Sequence, residues 1–120
     1  MERHIRSMVT TFTALAEPNR FRIVELLRSG PRPVNDIGER LGLNQPQVSK
    51  HLKVLKAAGL VEVEQRAQQR VYDLRGEPLR ELHAWLERYR HFWEERFDLL
   101  DGVLEELKTA ERKRKKARNR

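Results

Sequence analysis

The chain has 120 residues, no cysteine and 25 Lys/Arg against 18 Asp/Glu, and no apolar run nears the roughly 18 residues of a membrane span. Such a chain makes one domain with a modest core, and disulfides, thiolate metal sites and cysteine nucleophiles are excluded. The net charge of +7 is local: residues 111–120 hold seven bases and one acid, leaving 18 bases and 17 acids elsewhere, so where the charge lies says more about nucleic acid than the basic pI does.

The opening Met-Glu-Arg-His-Ile-Arg leads into no signal-peptide core, which predicts a soluble, cytoplasmic protein. Ile5, Met8, Val9, Phe12, Leu15 and Ala16 recur at helical spacing, and Glu17-Pro18 ends that first helix. Phe21, Ile23, Val24, Leu26 and Leu27 mark a second helix, stopped by Ser29-Gly30-Pro31. Val34, Ile37 and Leu41 mark a short third. Only Gly42 to Asn44 separates it from a fourth, with Asn44 as N-cap, Pro46 in the first turn and Gly59 as the stop. Two short helices joined by a three-residue turn containing Gly predict a helix-turn-helix.

Val48, Leu52 and Leu55 share the inner face of the fourth helix, which leaves amides, a hydroxyl and lysines outside. That outer face suits the DNA major groove. Gln45 and Gln47 can each present an amide to adenine, a contact worth ~1–3 kcal/mol of discrimination. Ser49 and Lys50 come next, and His51 and Lys53 suit phosphate. From Arg32 to Arg75 eight bases face five acids, a local excess in keeping with such a surface.

After Gly59 the period changes to two. Val61 and Val63 alternate with Glu62 and Glu64, and Arg70 to Leu74 alternates again, predicting two strands around Ala67-Gln68-Gln69. This hairpin is a wing, with Arg66, Gln68, Gln69 and Arg70 facing the flanking DNA backbone or minor groove. Its turn lacks the Gly, Asn or Asp that short hairpin loops prefer.

Glu77-Pro78 starts a long helix whose Leu79, Leu82, Leu86, Tyr89, Trp93, Phe97, Leu100, Leu104 and Leu107 keep close to a heptad seam. So small a body offers little core to cover it. We therefore expect a homodimer that buries Met8 and Phe12 from the first helix and Leu82, Trp85, Leu86, Tyr89, Phe92, Trp93, Phe97, Leu100 and Leu104 from the last. Beyond Thr109 the sequence is charged, with no apolar residue but alanine, and predicts a disordered basic tail over residues 111–120.

The expected architecture is mainly α with a small β-hairpin: a winged helix-turn-helix over residues 1–110 with a long C-terminal dimerisation helix. Two segments carry a family resemblance. Leu15-Ala16-Glu17-Pro18-Asn19-Arg20-Phe21-Arg22-Ile23 and the run from Val48 to Val61, Val-Ser-Lys-His-Leu-Lys-Val-Leu-Lys-Ala-Ala-Gly-Leu-Val, resemble the ArsR/SmtB family of winged-helix repressors. The resemblance implies a homodimeric regulator that reads a pseudo-palindromic operator with its fourth helix. The family's thiolate site, Cys-Val-Cys-Asp, is matched here by Pro33-Val34-Asn35-Asp36, so that site is absent. His83, Glu87 and His91 lie along one helix face, but at a spacing unlike the family's second metal site. The chain resembles the metal-independent branch, and no metal or cofactor is expected.

No nucleophile elbow, phosphate loop or carboxylate–histidine pair supports an enzyme. The competing readings are a winged-helix protein-interaction scaffold, or a repressor that senses a small apolar ligand or a non-thiolate metal at the dimer interface. The sequence leaves the effector unknown, and the expected partners are double-stranded DNA and a second copy of the chain, with no membrane.

Overall fold

In the computed structural model, which describes residues 2–119, helix α1 (Glu2–Leu15) turns Met8, Thr11 and Ala14 inward at steps of three. Thr11 is buried without penalty because its hydroxyl donates to the Ser7 carbonyl at 3.0 Å. Helix α2 (Pro18–Leu27) begins with Pro at its first position and with Glu17 as N-cap, accepting from the Arg20 N–H at 2.8 Å. Arg20 in turn closes α1: its Nε donates to the Ala14 carbonyl at 2.7 Å and its Nη2 to that of Thr13 at 3.2 Å.

Strand β1 (Arg32–Pro33) leads into α3 (Val34–Leu41) and then α4 (Gln45–Ala57). Val48, Leu52 and Leu55 of α4 are fully buried, as their spacing predicts, beside Ile23, Leu27 and Ile37. The helix ends in a Schellman motif: Gly59 takes φ +76°, its N–H donates to the Lys56 carbonyl, and the Leu60 N–H donates to that of Leu55. Strands β2 (Val61–Arg66) and β3 (Gln69–Leu74) follow, with Val61 opposite Leu74 and Arg66 opposite Gln69. The loop is two residues, Ala67 and Gln68, and Ala67 sits at φ +53°. Gln69, expected in the turn, is the first residue of β3.

The sheet order is β1-β3-β2, with Arg32 opposite Tyr72 and Pro33 opposite Val71. Strand β1 has no signature in the sequence. Two residues give no alternation to detect, and Pro33 argues against a strand unless it lies at an edge, where it does lie.

The chain divides into two units, residues 1–83 and 84–120. The single long helix expected from Pro78 is two: α5 (Glu77–Glu87) and α6 (Arg90–Arg118). The Arg88 and Tyr89 N–H groups donate to the carbonyls three residues back, Trp85 and Leu86, tightening the turn. Tyr89 takes φ −98° and ψ 2°, with its ring edge-on to Trp85 at 5.2 Å. Neither Pro nor Gly marks this break, so apolar spacing passes over it.

The expected disordered tail is also corrected: α6 continues through it to Arg118. Lys, Arg, Glu and Ala are strong helix formers, and bases at the last turn complement the helix dipole. Low hydropathy conceals a helix of this kind. Arg120, which the expected tail includes, and Met1 lie outside the described residues.

Candidate nucleic-acid interface

The outer face of α4 is set by what its inner face buries. Because Val48, Leu52 and Leu55 are anchored, Gln45, Gln47, Ser49, Lys50 and Lys53 are all exposed. The helix start is rigid. The Asn44 Oδ1 accepts from the Gln47 N–H at 3.0 Å, and the Gln47 Oε1 accepts from the Asn44 N–H at 3.0 Å, a complete capping box. This changes the expectation for Gln47. With its oxygen held by Asn44, its amide can donate to a base but cannot make the two-bonded contact to adenine that was expected of it. Gln45 carries no such commitment.

His51 is corrected more strongly. Its side chain is only 19% exposed, and Nδ1 lies 3.6 Å from Oε2 of Glu17, the cap of α2. The imidazole faces inward, to the α1–α2 junction. Partial burial pushes the Glu17 carboxyl up, but the N–H groups of Arg20 and Asn19 and the nearby charges of His51 and Arg20 outweigh this, so it titrates below its ordinary range. The sequence singled out His51 by its place on the helix; its spatial partner, 34 positions away along the chain, carries no sequence signal.

On the wing, Arg66, Gln68, Gln69 and Arg70 are all exposed. The register puts Arg66, Glu64 and Gln69 on one face and Arg70 with Gln65 on the other. Arg66 donates to Glu64 at 3.1 Å through Nη2, so Arg70 is the wing cation with no ion pair among the described residues.

Two supporting features went unpredicted. Gly38 lies inside α3, where a Cβ would stand 2.9 Å from the Leu43 carbonyl oxygen and 3.4 Å from Val48 Cγ2. Only glycine lets the turn and α4 come this close, and a buried glycine in mid-helix is itself a hint of such an approach. Asp36, at the position matching the family's metal site, instead accepts from Arg32 Nη1 at 2.8 Å and from Arg40 Nε at 3.1 Å. The Arg32 hydrogen bond, helped by that of Arg40 and opposed by partial burial, holds its carboxyl below the usual range. Among the described residues, no three of His, Asp and Glu are grouped as metal ligands, and no helix is long and apolar enough to cross a membrane.

The residues expected at a dimer contact divide in two. Met8 is buried, at 8% exposure, and offers no surface to a partner. Its neighbours Ile5, Val9 and Phe12 form the exposed apolar face of α1. Leu82, Trp85 and Trp93 are half-buried, whereas Leu86, Tyr89, Phe92, Phe97, Leu100 and Leu104 are exposed, as are Leu99, Val103 and Leu107.

A family model described as a helix-turn-helix domain matches residues 15–64. The chain is 42% identical over 67 residues to the HTH-type transcriptional regulator NmtR of Mycobacterium tuberculosis, a match spanning 56% of each chain. It thus covers little more than half of that relative's length. It is 30% identical over 79 residues to the transcriptional repressor SdpR of Bacillus subtilis, covering 66% of this chain and 88% of SdpR. Among solved structures it resembles the homodimeric winged helix-turn-helix DNA-binding domain of Mb0332 from Mycobacterium bovis, described as a possible ArsR-family regulator. The TM-score is 0.61 at 30% identity, covering 72% of this chain and 81% of that domain.

Proposed function

The chain belongs to the ArsR/SmtB family of winged helix-turn-helix transcriptional regulators, and from that premise we propose that it is a homodimeric repressor of a pseudo-palindromic DNA operator. The observation that carries this reading is α4. Gln45, Gln47, Ser49, Lys50 and Lys53 are exposed, Val48, Leu52 and Leu55 are fully buried, and a capping box fixes its start. Two copies of α4 enter successive major grooves about one turn, ~34 Å, apart. Gln45 reads a base through both ends of its amide. Gln47 donates a single hydrogen bond, and Ser49 and Lys50 reach base edges or phosphates. Lys53 and Arg70 hold the backbone. Ile5, Val9 and Phe12 of α1 and the apolar stripe of α6 supply the dimer contact.

Selection of bound duplexes from a random pool, followed by mobility shifts on the enriched sequence, tests this. The expected result is a two-fold symmetric site with half-site centres one helical turn apart. No retardation even at low salt would leave a winged-helix scaffold for protein partners instead. The same complex, titrated with divalent metals or small apolar compounds, reports whether an effector releases it.

A further inference from the structure

The cations of the first unit are largely engaged within it. Arg28 meets Glu25, Arg32 and Arg40 share Asp36, Arg66 meets Glu64, and Arg75 faces Glu77. On α4 and the wing, only Lys50, Lys53, Lys56 and Arg70 are exposed with no ion pair among the described residues.

The end of α6 is the reverse. Arg112, Lys113, Arg114, Lys115, Lys116 and Arg118 are all exposed and have no ion pair among the described residues. Five of them are consecutive, so at about 100° per residue they encircle the helix. From Arg112 to Arg118 the axis rises only ~9 Å, close to the ~8 Å screening length at physiological salt. Six like charges held this closely repel one another, and residues 112–118 include no acid to relieve them, Glu111 standing just before them. A duplex, with one phosphate per ~1.7 Å of axis, is a polyanion of matching density.

We propose that the helical segment Arg112–Arg118 is a second DNA-binding surface, sequence-independent and selective for phosphate, which contributes more counterion release than α4 and the wing. It rests on the reading of the chain as a DNA-binding regulator. Each neutralised phosphate adds ~0.9 to the slope of log affinity against log salt. The four uncommitted cations of α4 and the wing therefore give a slope of at most ~3.6 per protomer, and the six of α6 up to ~5.4 more.

The test compares the full chain with a variant carrying Arg112→Gln, Lys113→Gln, Arg114→Gln, Lys115→Gln, Lys116→Gln and Arg118→Gln. Affinities for the selected operator and for a random duplex are measured across salt. Glutamine keeps helix propensity, and an all-lysine control (Arg112→Lys, Arg114→Lys, Arg118→Lys) separates charge from folding. The expected result is a slope cut by more than half in the glutamine variant and preserved in the control, with the operator-to-random ratio little changed. An unchanged slope overturns the proposal, as does a collapse of the ratio. So does an unchanged slope together with lost binding to phosphatidylserine-containing vesicles, which would assign the segment to anionic membrane. If the unmodified chain binds no duplex at low salt, the DNA-binding reading falls as well.

Discussion

Nδ1 of His51 stands 3.6 Å from Oε2 of Glu17, and this pair joins α4 to the junction of α1 and α2. Glu17 caps α2, and Arg20, three residues on, closes α1. One short segment thus fixes two helix ends and ties the middle of α4 to them. Glu17 titrates below its ordinary value of 4.5, so the folded state favours its charged form. The resulting stability is complete above pH 4.5 and is lost as the pH falls through the lower folded value. Glu17→Gln should therefore lower the melting temperature at pH 7, and the gap to the parent should close as the pH drops below that of a free carboxyl. His51→Ala should also lower it at pH 7, whereas Lys53→Ala, on the exposed face, should not. Thermal unfolding of the three variants at neutral and acid pH checks this, and equal melting of parent and Glu17→Gln at pH 7 would refute it.

The capping box makes Gln47 serve two ends, and two substitutions separate them. Gln47→Ala removes the back-bond to Asn44 and should destabilise the fold by ~1 kcal/mol, the usual size of a lost N-terminal cap. Gln47→Glu can still accept from the Asn44 N–H, and its charge suits a helix N-terminus, so stability should be kept. It loses the amide donor and sets an anion against phosphate, so operator binding should fall at least ~10-fold, the size of one lost specific contact. Urea unfolding and mobility shifts on the same two proteins give both readouts. If Gln47→Glu unfolds as easily as Gln47→Ala, the back-bond adds nothing to stability.

Glycine positions provide a test of packing. At Gly38 a methyl group would meet a backbone oxygen at 2.9 Å, and a backbone atom cannot swing aside as a side chain can. Gly38→Ala should cost ~1–3 kcal/mol, the range for overpacked cores. At Gly102, within α6, the added methyl meets nothing within 4 Å, and Gly102→Ala should stabilise that helix by up to ~1 kcal/mol. Denaturant midpoints for the pair should move in opposite directions. A neutral Gly38→Ala would mean that the α3–α4 turn can relax.

Legibility in the sequence followed the range of the interaction. Asn44, Pro46 and Gly59 act within a turn or two of their own positions, and all three occupy the cap, first turn and stop read from the sequence. Val48, Leu52 and Leu55 repeat with the helix, and their burial follows from that spacing. What escaped was non-local or non-apolar. The Glu17–His51 tie spans 34 positions, β1 has only two residues, and the break at Tyr89 preserves the apolar rhythm on both sides. The helical tail escaped for another reason: hydropathy reports burial, whereas helix propensity needs none. On α4 the exposure of Gln45, Ser49, Lys50 and Lys53 followed from the spacing, but not the inward turn of His51 or the second bond of Gln47.

The stripe Phe97, Leu100, Leu104 and Leu107 keeps steps of three, four and three, and each side chain is at least 44% exposed. A helix with that pattern and no cover in its own unit gains most from a second copy. Burying one leucine is worth ~1.5–3 kcal/mol. A homodimer loses the contribution twice per substitution, so Leu100→Ala or Leu104→Ala should weaken association by ~3–6 kcal/mol, roughly two to four decades in Kd. Sedimentation equilibrium should show the parent as a dimer and the variants as monomers at the same concentration. Far-ultraviolet circular dichroism should retain the signal of the first unit, because neither side chain belongs to its core. Operator affinity should fall with dimerisation and recover at higher protein concentration, since each α4 remains intact. Variants that stay dimeric would place the contact on Ile5, Val9 and Phe12 of α1 and leave the stripe of α6 for another partner.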